Sequence, residues 1–264
     1  LAAAIVWRFI GIYGSALLIP LIVLTATRTP AYSDAETLWR DTLAKNPDSW
    51  MVHTNLAHIL RSRGEETGDE NAFVEAEQNY WRALKLAPQI HDTQTNVGSI
   101  LGRRGDYVNA LIHFNAALKV NSDFAPAYYG IGQIYQAQGK FDLAIDYFQK
   151  ALKIAPSYPE ANFRMGTILE QQDNLAAAAE FYRKAVGAKP EDAEFRYNLG
   201  TCLLKMHLYP EAVYNLSEAV RIKPNDAQAW HNLGVAQLAL GQRDAAVNSL
   251  SRALQLDPSL APPH

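Results

Sequence analysis

Tyr129, Phe163, Tyr197 and His231 stand at one fixed interval along the chain, and they are the side chains best suited to recognition chemistry. Rings offer a large contact area at small entropy cost and are frequent binding hot spots. Gln133, Thr167 and Thr201, four residues beyond the first three, would add hydrogen bonds, with Gln136, Asn162, Glu170 and Arg196 nearby. Together they predict a ladder for a peptide or helix; the competing expectation is that the rings pack between neighbouring helices. Covalent chemistry has less to work with. His53, His58, His91, His113, His207, His231 and His264 never pair at the i, i+4 spacing that sets two ligands on one helix face, so no metal site is expected. The pairs Glu65-Glu66 and Glu191-Asp192 fall in expected turns and read as solvated caps rather than acid/base pairs. No Gly-rich phosphate loop is present, and no cofactor is expected. Cys202, the single cysteine, sits among Leu199, Leu203 and Leu204 and reads as a buried, inert thiol. A net charge of −3, with no basic run, argues against nucleic acid as a partner.

The elements that must position these residues follow from the same spacing. Pro156, Pro190, Pro224 and Pro258 recur at that interval, and Pro88 keeps the phase, with Ser122 in the slot between. Ala110, Ala144, Ala178, Ala212 and Ala246 form a second register; Ala117, Ala151, Ala185, Ala219 and Ala253 a third; Gly98, Gly132, Gly166, Gly200 and Gly234 a fourth. A fixed period of roughly 34 residues marks stacked helical repeats rather than a compact enzyme domain. In the unit 125–158, helices are predicted over 127–138 and 141–154. Ile131, Ile134 and Tyr135 make one apolar stripe; Ala144, Tyr147, Phe148, Ala151 and Leu152 make the next. Gly139 ends the first helix and Pro156 the second. Gly132 and Ala144 are small because the paired helices approach closely there.

These positions resemble the tetratricopeptide repeat (TPR). Units 91–124, 125–158, 159–192, 193–226 and 227–260 carry the pattern. An earlier unit from Trp50 to Ile90 carries it with an insertion at 64–70, expected as a polar surface loop. Residues 31–49, with Ala35, Trp39 and Pro47, resemble a half repeat, and 261–264 form a tail. The resemblance implies an all-α, right-handed superhelix of about six repeats plus a half repeat. Its first helices would line a concave face, their fifth positions being Thr54, Thr95, Tyr129, Phe163, Tyr197 and His231. Repeats of this family that clamp a chaperone's carboxylate use Lys and Arg in the groove. No fifth position here is Lys or Arg, and Asn55, Asn96, Asn198 and Asn232 match only the polar part of that pattern. At the C-terminal end Leu250 and Leu254 are expected to be partly uncapped.

Residues 9–27 contain no charged residue and as a helix would span roughly 28 Å, close to a bilayer core. Arg8 and Arg28 bracket them, and Trp7 and Tyr13 suit an interface. Residues 1–30 are therefore expected to hold one transmembrane helix with its flanks; a signal peptide or a soluble capping helix are the other readings. The junction Thr27–Leu43, followed by Asn46-Pro47 and Asn55-Leu56, is similar to the transmembrane-and-TPR O-mannosyltransferase family. That likeness implies repeats on the periplasmic or luminal side and would make the chain the non-catalytic tail of a glycosyltransferase. The favoured expectation is a non-enzymatic, membrane-anchored scaffold for protein partners, an accessory or assembly subunit of a membrane complex.

Overall fold

Helix pairs follow one another from Asp34 onward because each break in the apolar periodicity carries its own stop and start signal. The computed structural model describes residues 34–260, which form thirteen α-helices and a closing 3-10 turn, with no strand among them. The chain divides into two compact units between Val120 and Asn121. The first holds α1 (Ala35–Lys45), α2 (Trp50–Thr67), α3 (Glu70–Leu86), α4 (His91–Arg103) and α5 (Tyr107–Val120). The second holds α6 (Ala125–Ala137), α7 (Phe141–Ile154), α8 (Pro159–Gln171), α9 (Leu175–Ala188), α10 (Ala193–Lys205), α11 (Tyr209–Ile222), α12 (Ala227–Ala239) and α13 (Arg243–Leu256), then the turn Pro258–Leu260. The apolar stretch 9–27 and the tail 261–264 lie outside the described residues. Among the described residues no helix is long and apolar enough to cross a membrane.

In the first unit Leu56, Leu60, Tyr80 and Val97 form the core, and Trp39 and Leu43 seat α1 against it. Charge-assisted bonds hold α1 in place. Arg40 grips Glu75 with two guanidinium N–H groups at 2.6 and 2.7 Å and donates through Nε to Glu36 at 2.9 Å. Arg63 meets Glu36 at 2.8 Å and Asp69 at 3.3 Å.

The expected loop at 64–70 is corrected by this unit, because α2 runs on to Thr67. Gly64 lies under the Phe73 ring, where an added Cβ would come within 2.9 Å of Cζ, so the extra turn packs closely on α3. Gly68, at φ 73°, makes the break, and the Asp69 carboxylate accepts the Asn71 and Ala72 N–H groups to start α3. The insertion lengthens two helices instead of bulging between them.

The second unit repeats one contact. Across each pair the small residue of the first helix faces a bulky one sixteen positions on: Gly132 meets Phe148, Gly166 meets Tyr182, Gly200 meets Leu216 and Gly234 meets Leu250. A Cβ at Gly132 or Gly166 would fall 2.6 Å from the ring opposite. The alanines at 144, 151, 178, 185, 212, 219, 246 and 253 are all buried. Gly139 and Gly241 end first helices in the left-handed conformation, and Asp173 and His207 adopt it at the equivalent places, φ 61° and 60°. That conformation opposes non-glycine residues.

Candidate functional site

The fifth-position ladder does not survive intact. Phe163 is only 5 % exposed, stacked on Phe195 at 4.8 Å between centroids and tilted against Tyr182 at 5.7 Å. It is a core ring, since the first helix of the next pair supplies a flat aromatic face that covers it. Thr54 and Thr95 are buried as well. Tyr129, Tyr197 and His231 remain half-buried on the face of α6, α10 and α12.

Each of the three has its own surroundings. Tyr129 lies 5.1 Å from Tyr158 and 5.6 Å from Phe148, and its hydroxyl accepts from Gln133 Nε2 at 2.9 Å. Burial pushes the Tyr129 hydroxyl above its ordinary pKa while Arg164 beside it pulls the other way, so the group keeps its proton. Thr167 Oγ1 donates to the Arg164 carbonyl at 2.8 Å. Tyr197 and Thr201 are joined through Asn232, whose Nδ2 donates to the Tyr197 hydroxyl at 3.3 Å and to Thr201 Oγ1 at 3.1 Å. His231 stands next to this cluster in the chain. Two apolar residues that periodicity alone did not single out, Val235 and Leu238, are exposed on α12, one repeat beyond Thr201 and Leu204.

Asn162 and Arg196, expected beside the groove, are 1 % and 8 % exposed and do a different job. Each bonds the carbonyl of the proline that ends the preceding repeat: Asn162 Nδ2 to Pro156 at 3.0 Å and Arg196 Nε to Pro190 at 3.0 Å. The same fourth position elsewhere holds Gln94, on Pro88 at 2.7 Å, Trp230, on Pro224 at 2.9 Å, and His53, on Pro47 at 2.9 Å. The proline stands just past the helix C-cap, in the turn, where its carbonyl has no helical donor, and a donor six residues on satisfies it. At the unit where Ser122 replaces proline the fourth residue is Tyr128, its ring 6.3 Å from Tyr147. Glu170, another expected groove residue, accepts from the Tyr182 hydroxyl at 2.7 Å and from Lys205 at 2.7 Å, which ties α8, α9 and α10 together.

Among the described residues no group of His, Cys, Asp or Glu could hold a metal ion. Cys202 is buried, its Sγ 3.4 Å from the Leu175 carbonyl, and burial raises its thiol pKa to about 11. A thiol that holds its proton so firmly is a poor nucleophile.

A stack of paired helices with a mixed polar and apolar face and an ordinary buried core defines an α-helical repeat scaffold of the protein-binding type. Models described as "Tetratricopeptide repeat" match residues 125–158, 159–192 and 227–260, and one described as "TPR repeat" matches 98–139 and 209–241. Together they cover more than half of the chain, which belongs to the tetratricopeptide-repeat proteins. The matches begin at residue 98 and leave the O-mannosyltransferase likeness of the junction unsupported. A comparison with curated protein sequences finds no match. Among solved structures the fold is similar to YrrB, "a TPR protein with an unusual peptide-binding site", at 25 % identity over 69 % of this chain and 93 % of that one, TM-score 0.57. It is similar also to MamA, at 23 % identity over 62 % of this chain and 95 % of that one, TM-score 0.54. The residue 41-to-end MamA fragment from Desulfovibrio magneticus RS-1 is 21 % identical over 65 % and 97 %, TM-score 0.55.

Proposed function

We propose that this protein is a membrane-tethered scaffold that holds a protein partner on the first-helix face of its second unit. The observation that carries the reading is the surface made by Tyr197, Thr201 and Asn232 with exposed Val235 and Leu238. It offers aromatic area, an amide and apolar contact with no Lys, Arg, Asp or Glu among those five residues, and so suits an uncharged peptide segment or one apolar helix face. The likeness to YrrB, a repeat protein with a peptide-binding site, supports a peptide as the ligand. Tyr129 and Gln133 extend the surface toward α6, with His231 and Thr167 at its sides.

The tether is the uncharged segment 9–27, read as one bilayer span, with the repeats on the periplasmic or luminal side and the chain acting as an accessory subunit of a membrane complex. Anchoring raises the local concentration of repeat and partner at the bilayer. The test is extraction. Alkaline carbonate should leave the full chain in the membrane, and mild detergent should release it with a stoichiometric partner. Tyr129→Ala combined with Tyr197→Ala should weaken partner binding by about thirtyfold, the loss of one strong hot spot, at unchanged helicity. Undiminished binding by that variant would remove the surface from consideration.

A further inference from the structure

The outer face of α3 and α5 has no account in a partner groove. On α3, Val74 and Trp81 are exposed; on α5, Val108 is 72 % and Ile112 58 % exposed. Trp81 meets His113 edge-on at 5.8 Å, so the two helices touch there. Helix α5 reads Tyr-Val-Asn-Ala-Leu-Ile-His-Phe-Asn-Ala-Ala-Leu-Lys-Val, and Lys119 is its one Lys, Arg, Asp or Glu. The exposed residues of α5 are Val108, Ile112 and Val120 together with Asn109, Asn115 and Lys119, an amphipathic mixture of apolar and polar groups. In the second unit the same register is more polar, although Tyr214 there is 60 % exposed. The counterparts of Val108 and Ile112 there are Asp142 and Asp146, Ala176 and Glu180, Pro210 and Tyr214, and Asp244 and Asn248.

We infer that the outer face of α3 and α5 rests on the surface of a lipid bilayer. The inference builds on the proposed span at 9–27. Six residues, Arg28 to Ser33, separate that span from Asp34, the N-cap of α1, and fully extended they reach roughly 20 Å. Helix α1 is bound to α2 and α3 through Arg63 and Arg40, so the unit carrying the apolar face is held close to the membrane. Charge agrees. Lys85 on α3 and Lys119 on α5 hold the same place in successive repeats and are exposed, placed to reach headgroup phosphates while Val74, Trp81, Val108 and Ile112 enter the interface. Glu75 is held by Arg40 and Glu77 by Arg104, and Glu65 is shared by Arg61 and Arg103. Glu70, at the start of α3, is the exposed acid left over on that helix. Trp81 is the residue type that favours the boundary between headgroups and acyl chains.

The full chain would be reconstituted into vesicles of phosphatidylcholine and phosphatidylglycerol with a nitroxide at Val108→Cys or Ile112→Cys, in a Cys202→Ala background, and with Asp146→Cys as the second-unit control. Power saturation reads access of oxygen, which concentrates in lipid, against a nickel chelate, which stays in water. The ratio at positions 108 and 112 should exceed that at 146 several-fold. A ratio equal to that at 146 overturns the inference. Shielding from both reagents also overturns it, and places a second copy, another protein or residues 9–27 on this face. Carbonate extraction of the same vesicles separates the two layers of the argument. A chain that washes off defeats the span itself; a chain retained with water-exposed labels defeats the bilayer contact alone.

Discussion

Asn162 shows how much one side chain can decide here. It is almost fully enclosed and gives its two amide protons to the carbonyls of Pro156 and Tyr158, at 3.0 and 2.9 Å. Asn162→Asp keeps the shape and removes both donors, setting a buried charge against two carbonyl oxygens. The expected loss is at least about 2 kcal/mol, seen as a lower melting temperature, because an unsatisfied buried charge costs more than a neutral group. The sequence pattern shows this residue only as one near a groove, and the reason is physical. Periodicity reports size and polarity, whereas His53, Gln94, Asn162, Arg196 and Trp230 share neither; they share an N–H at the right height above a proline carbonyl. Phe163 drops out of the ladder for a related cause. The stripe identifies a ring on the helix but does not report Phe195, which covers it.

Helix pairs were legible almost to the residue, since glycine, alanine and proline mark close contacts and ends in a repeating frame. Helix α7 runs Phe141–Ile154 as expected, and α6 begins two residues early because Pro126 fits the first turn of a helix. What the frame could not show was the lengthened α2 and α3, since a polar run containing two glycines looks like a loop until Phe73 is seen lying on Gly64. Close approach makes a paired prediction possible. Gly166→Ala should destabilise by about 1–2 kcal/mol, because displacing the Tyr182 ring outweighs the helix-propensity gain. Gly187→Ala, in α9 with nothing within 4 Å of its added carbon, should be neutral or stabilising by up to about 1 kcal/mol. Denaturant midpoints of the two variants check the comparison. At α1 the electrostatics give a pH signature. The hydrogen bond from Arg40 holds the Glu75 carboxyl below its ordinary pKa of 4.5. The folded state therefore binds this proton less readily than the unfolded one, and the stabilisation is whole above that value and fades as pH falls through the folded pKa. Protection of the α1 amides, taken relative to their intrinsic exchange rates, should fall selectively as the pH is lowered from 5 toward 3, and Glu75→Gln should flatten the response.

Over a whole array of repeats, stability is shared between neighbours rather than pooled in one core. Ala178→Glu places a carboxylate at a fully buried contact in α9. Exchange protection should collapse in α8, α9 and α10, which Tyr182, Glu170 and Lys205 tie together, while α13 retains its own. A uniform loss across the second unit would instead show a single cooperative block. At this scale the sequence disclosed a repeat scaffold with an open face and left the choice of surface to the structure. The fourth position carries a consequence for how such a chain can change over generations. It asks of a residue only that it bring a proton to a carbonyl, and five residues unlike in charge and size meet the demand. Drift among them keeps each step joined to the next, so successive repeats are free to diversify their surfaces at little risk to the spacing between them.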